Sequence, residues 1–145
     1  MNPALLFTLA AVIAAVGILV SFKKLMANIQ TMVEEQKLNQ ELLQKEQTRY
    51  FIRTALIEAI PIVLIIFGFM QIENTHLETT SRIAPVLIIG GVVIYAVTNI
   101  LLIRNDLLAT TDHSKEIKGY LNSLIFIGIA TISAIPIISL IGLFL

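Results

Sequence analysis

Ala55-Leu56-Ile57-Glu58-Ala59-Ile60-Pro61-Ile62 sets one carboxylic acid inside an otherwise apolar run, three residues before a proline. A charge in hydrocarbon is costly unless it is protonated, paired or facing water, so Glu58 marks a functional position by default. The frame returns near the end of the chain as Ala130-Thr131-Ile132-Ser133-Ala134-Ile135-Pro136-Ile137, with Ser133 where the first copy has Glu58. What surrounds these two stretches decides the fold.

The chain of 145 residues is 57 % hydrophobic and only 14 % charged, with a mean hydropathy of +0.87. Soluble domains carry about a quarter of their residues as charged side chains, so this composition describes an all-α integral membrane protein. A spanning helix takes about 20 apolar residues, which leaves room for four spans and no soluble catalytic domain. No catalytic site of its own and no cofactor is expected. The absence of cysteine excludes disulfides and thiolate chemistry, and a formal net charge of zero gives no reason to invoke nucleic acid.

Outward from Glu58, the second span is expected over residues 51–72. Arg53 lies about one turn inside its boundary, near enough to snorkel to the headgroups. Glu58 lies about 7 Å deeper at 1.5 Å per residue, beyond easy reach of the same surface. Pro61 has no N–H to donate, so the Ile57 carbonyl beside Glu58 loses its helical partner and the backbone is expected to kink there. Such an acid beside polar backbone suits a proton or cation site at a protein or water interface.

The first span, residues 3–22, has no ionisable side chain and shows a small face of Ala10, Ala14 and Gly17 flanked by Ala11, Ala15 and Ser21. Small residues at this spacing let helices approach closely in lipid. Beginning almost at Met1 with no basic segment, it does not read as a cleaved signal peptide. Residues 23–49 turn polar without glycine or proline and are rich in Gln, Glu, Lys and Leu, which favour helix. They predict two helices running on past the membrane surface and meeting at a turn near Glu34 to Asn39. There Leu25, Ile29, Met32 and Val33 would face Leu38, Leu42 and Leu43. The third span is expected over 83–103 and the fourth over 120–145, joined by polar connections at 73–82 and 104–118. Lys and Arg concentrate in the first and third connections, which predicts that 23–49 and 104–118 are cytoplasmic and both termini outside; the membrane expected is a bacterial plasma membrane.

Ala55–Met70 laid on Ala130–Leu145 matches Ala-Ile-Pro-Ile at the same depth, and Ile13–Val16 laid on Ile94–Val97 brings Lys23 onto Arg104. The simplest account is two tandem helical hairpins, residues 1–72 and 83–145, inserted in the same orientation.

The run Gln47–Ile62 resembles the outer helix of the proteolipid, or c subunit, of rotary ATP synthases, in which an acid followed by Ala-Ile/Leu-Pro carries the translocated ion. The duplicated four-span form with one acid missing is similar to the proteolipids of V-type rotary ATPases. The resemblance implies that Glu58 is the ion carrier, that Ser133 marks a silent second site, and that many copies form a homo-oligomeric ring turning against a stator arginine of another subunit. The chain departs from the family pattern in its glycine-poor first span and in the long 23–49 connection, which replaces a short polar loop.

The residues themselves leave Glu58 three roles: carrier, static polar contact, or an acid snorkelling with Arg53. An apolar setting disfavours the charged form of a carboxyl, so loading and unloading near pH 7 is physically reasonable. Thr54, one turn before Glu58, is the nearest extra oxygen, and this sparse donor set favours a proton over sodium. His76 and His113 are predicted on opposite sides of the membrane and share no metal. Asn99 reads as an interhelical hydrogen bond, with a site role if it faces Glu58; Ser133 reads as a packing residue bonding back to a carbonyl. The contiguous Asp112-His113-Ser114 is not a triad. The competing reading is a four-helix scaffold in the lipid that docks a cytoplasmic partner through residues 23–49 and transports nothing.

Overall fold

The computed structural model describes residues 2–35, 37–73, 75, 77–109 and 115–145. Four α-helices account for nearly all of them: α1 (Pro3–Glu34), α2 (Gln40–Ile72), α3 (Thr79–Ala109) and α4 (Lys115–Phe144). Among the described residues there is no strand. All four helices are long and apolar enough to cross a membrane. With 30 to 33 residues each, they run to about 45–50 Å at 1.5 Å per residue. That exceeds a hydrocarbon core of about 30 Å, so the predicted spans occupy only part of each helix.

Local chemistry sets the ends. Asn2 caps α1 by accepting the Ala4 N–H at 2.9 Å, and Pro3 follows in the first turn, where its missing donor is harmless. Asn39 caps α2 by accepting the Leu42 N–H at 2.8 Å, with Glu41 in the favourable first turn. Between them, α1 and α2 part at 35–39, the segment where the sequence predicts the turn. The other connections are shorter than expected. Helix α3 does not stop at Ile103 but continues to Ala109, because Leu107 remains in the core at 5 % exposure and Leu108 packs on it. His76 and Asp112-His113-Ser114 lie outside the described residues.

Helix α1 is the axis of the bundle. It packs against each of the other three helices; α4 also touches α2 and α3, while α2 and α3 do not meet. Neighbouring contacts show α1 antiparallel to α2 and α4, since Phe7 near its start meets Gly68 and Gly142 near their ends. The small face of α1 makes this possible: Ala10, Ala11, Ala14 and Ala15 are all fully buried. Two aromatic rings then fill the seams. Phe7 lies edge-on to Phe69 with centroids 5.1 Å apart, and Phe22 lies edge-on to Tyr50 at 6.0 Å. At Gly17 α1 and α2 approach closely, for a Cβ there would fall 2.5 Å from Ile57 Cγ2. Pro61 is buried within α2, which continues as helix on both sides of it, so the expected disturbance does not interrupt the element.

Candidate functional site

The buried face of α2 is a stripe of Leu43, Glu46, Tyr50, Thr54, Pro61, Ile65 and Gly68, turned toward α1. Ile57 belongs to the same stripe through its contact with Gly17. Glu58 follows it by one residue and therefore stands at the edge of the stripe, half-buried. That edge is the one facing α4: Gln47, about three turns earlier on the same side at 3.6 residues per turn, accepts a hydrogen bond from the Tyr120 hydroxyl of α4. Among the described residues Glu58 has neither a hydrogen bond nor an ion pair.

Arg53 occupies the opposite edge. Five residues of helix turn the side chain through about 140° relative to Glu58, and Arg53 lines a groove between α1 and α2 together with Lys24. The two groups form no ion pair, so the reading of Glu58 as an acid snorkelling with Arg53 is corrected by the direction in which α2 presents them. Thr54 lies between the two, 3 % exposed, its hydroxyl without a partner in hydrogen-bonding geometry.

Asn99 and Ser133 are not part of this constellation. The Asn99 amide donates to the Tyr95 carbonyl of its own helix at 2.9 Å, in place of the expected interhelical bond. It lines a separate groove with Lys23 and Gln30 of α1, and it cannot face Glu58 because α4 stands between α3 and α2. On α4 the residue that looks toward α2 is Thr131, whose hydroxyl lies 2.7 Å from that of Tyr50. Ser133 is two residues on, about 200° round the helix. The back-bonding expected of Ser133 belongs instead to Thr131, which donates within its own helix toward the Ile127 carbonyl at 2.9 Å.

Sequence reasoning missed a second polar cluster, at the end of the bundle near the 35–39 turn. Glu46 is 4 % exposed. Its Oε2 accepts from Asn28 Nδ2 at 2.9 Å and its Oε1 from Arg49 Nη1 at 2.9 Å, so each carboxylate oxygen has a donor and the charge has a counter-charge. Asn28 belongs to α1, so this buried acid ties the two helical extensions together beyond the apolar spans. The pairs Gln47–Tyr120 and Tyr50–Thr131 extend the polar belt to α4. The signal was spacing: Leu43, Glu46 and Tyr50 recur at three and four residues on the face that carries Thr54 and Pro61.

The two acids of α2 that approach the core therefore have opposite characters. Glu46 is buried, with a donor on each oxygen and a cation beside it. Glu58 has no hydrogen bond and no ion pair to lose among the described residues. Among the described residues no three His, Asp or Glu side chains gather at metal-ligand spacing. Comparison of the chain with protein-family models, with curated proteins and with solved structures found no match, so the reading of Glu58 rests on the chemistry of its own surroundings.

Proposed function

We propose that this chain is an integral membrane subunit that carries protons on Glu58, working as one of many identical copies in a ring similar to the proteolipid ring of a rotary ATPase. Each hairpin, residues 1–72 and 83–145, crosses the membrane twice. Both termini lie outside, and the 23–49 and 104–118 connections lie on the cytoplasmic side of a bacterial plasma membrane. Glu58 takes up one proton to become a neutral carboxylic acid and gives it back to become a carboxylate. Thr54 one turn earlier and the Ile57 carbonyl, which Pro61 cannot satisfy, are the nearest polar groups on its own helix. Ser133 has no acidic function, so each copy carries one proton. A stator arginine on another subunit supplies the counter-charge at the moment of release.

The observation that carries this reading is that Glu58 is half-buried in a membrane-length apolar helix with no hydrogen bond and no ion pair among the described residues. An acid used as a static polar contact is expected to have found a partner, as Glu46 has. The direction of Arg53 supports it further, because a fixed internal cation on the Glu58 side would hold the carboxylate charged and resist loading. The test is the native mass of the detergent-extracted protein. A stable assembly of many copies is expected, with Glu58→Gln assembling equally well; a monomer or dimer contradicts the ring.

A second reading has one observation in its favour. The Asn28–Glu46–Arg49 cluster braces α1 against α2 outside the apolar spans, presenting a rigid solvated extension suited to docking a cytoplasmic partner. On that reading the protein is a scaffold without transport, and Glu58→Gln leaves every property of the assembly and its membrane unchanged.

A further inference from the structure

A groove of about 360 Å³ opens between α1 and α2 on the side away from α4. Its polar wall is made by Lys24 of α1 and Arg53 of α2, one cation from each helix. Neither has a carboxylate partner among the described residues: the acids of this region are Glu46, engaged by Asn28 and Arg49, and Glu58, on the opposite edge of α2. The Nε and Nη2 groups of Arg53 are buried and donate to nothing. Ser21, also lining the groove, is 4 % exposed with an equally unpartnered hydroxyl.

This is an expensive arrangement for a protein to hold empty. Buried donors without acceptors forfeit their water hydrogen bonds, and two cations side by side repel. An anion with several acceptor oxygens removes both penalties, and the planar guanidinium fork suits a phosphate in particular. The rest of the groove is apolar. Val20 and Leu56, both largely exposed, and Ile57 continue from the cationic end along the hydrophobic part of the two helices. Gly17, where a Cβ would fall 2.5 Å from Ile57 Cγ2, forms part of the floor. Lys24 follows the end of the first apolar segment and Arg53 lies about one turn inside the second, so the charged end sits at headgroup level with the apolar wall leading inward.

We propose that this groove binds the phosphate of an anionic phospholipid, with Arg53, Lys24 and the Ser21 hydroxyl holding the headgroup and Val20, Leu56 and Ile57 supporting the upper acyl chain. The site depends on the chain being in a membrane and not on proton carriage, so it stands or falls apart from Glu58. It gives Arg53 a task independent of the acid five residues away, namely fixing the α1–α2 seam to the lipid.

The test is native mass spectrometry of the detergent-extracted protein titrated with phosphatidylglycerol or phosphatidylcholine. The wild type is expected to retain phosphatidylglycerol preferentially, and R53Q/K24Q to bind it about tenfold to thirtyfold more weakly, as expected for the loss of two headgroup-level cations. S21A is expected to weaken binding less, and R53K to recover part of the R53Q loss. K23Q, which removes a neighbouring charge on the α3 side of α1, is expected to retain the full preference and shows that folding and overall charge are not the cause. Equal retention of the two lipids by the wild type, or an equal loss in K23Q, overturns the site. Displacement of phosphatidylglycerol by excess inorganic phosphate overturns its assignment to a lipid, leaving a site for the free anion.

Discussion

Phe7 offers the sharpest test of the packing, because it is held from two sides by helices that lack side chains at the point of contact. A Cβ on Gly142 would fall 2.6 Å from both Cε1 and Cζ of the ring, and one on Gly68 would fall 2.9 Å from the same two atoms. Carbon atoms pack at about 3.5–4.0 Å, so Gly142→Ala requires the ring to retreat by about 1 Å. Retreat from α4 is blocked by α2 and by the Phe69 edge contact at 5.1 Å. Overpacking a site with no soft wall costs about 2–3 kcal/mol, the upper part of the usual range. Alanine returns about 1 kcal/mol through its better helix propensity, so the net expected loss is about 1–2 kcal/mol. Gly91 supplies the opposite sign. Nothing lies within 4 Å of a Cβ there, so Gly91→Ala gains the propensity term of up to about 1 kcal/mol without an opposing clash. Both are measured by reversible unfolding in mixed detergent micelles followed by circular dichroism, with Phe7→Leu added to Gly142→Ala as a double-mutant cycle. The smaller side chain is expected to relieve most of the Gly142→Ala penalty, giving a strongly non-additive pair. Additive effects, or the same sign for Gly142→Ala and Gly91→Ala, would refute the clamp.

The polar belt gives two further predictions. Asn28→Ala removes one donor from the buried Glu46 carboxylate and is expected to destabilise the protein by about 1–3 kcal/mol, and to open the α1–α2 extension to protease cleavage around residues 35–39; unchanged proteolysis contradicts the tie. Tyr50→Phe and Thr131→Ala each break the α2–α4 hydroxyl pair and are expected to lose roughly 0.6 kcal/mol, the mean found for such bonds between membrane helices. Because they break the same bond, the double variant is expected to lose little more than either single one, and full additivity in the unfolding assay contradicts the pairing.

Much of this fold is legible in the residues. Four apolar runs gave four helices, and the Gln, Glu, Lys and Leu of 23–49 gave helical extensions with their break near Asn39, whose side chain caps α2. Hydropathy could not show which helix is central, since four runs of similar apolarity look alike. The clue was the alanine face of α1, because small side chains let neighbouring helices approach closely. The Glu46 tie was hidden by composition: a segment so rich in charge reads as solvated, and only the phase of Glu46 relative to Leu43 and Tyr50 places it inward. The separation of Arg53 from Glu58 was available from helix geometry, while depth alone suggests a pair. Asn99 was misjudged for a different reason. Its partner depends on which helices touch, and α4 intervening between α2 and α3 is a tertiary fact that no local spacing encodes.

Glu58 remains the centre of the account, as an acid with no hydrogen bond or ion pair among the described residues of an apolar bundle. Its replacement by glutamine removes none, so Glu58→Gln is expected to leave stability within about 0.5 kcal/mol of the wild type, the range of an uninvolved position. Chemical reactivity tests the central claim most directly. Dicyclohexylcarbodiimide is an apolar reagent that modifies carboxyl groups in their protonated form, and peptide mass spectrometry locates the adduct. At neutral pH the account predicts modification at Glu58 in preference to every other acidic residue of the chain, and its disappearance in Glu58→Gln. An unmodified Glu58, or labelling spread evenly over the acids of the solvated connections, would contradict it.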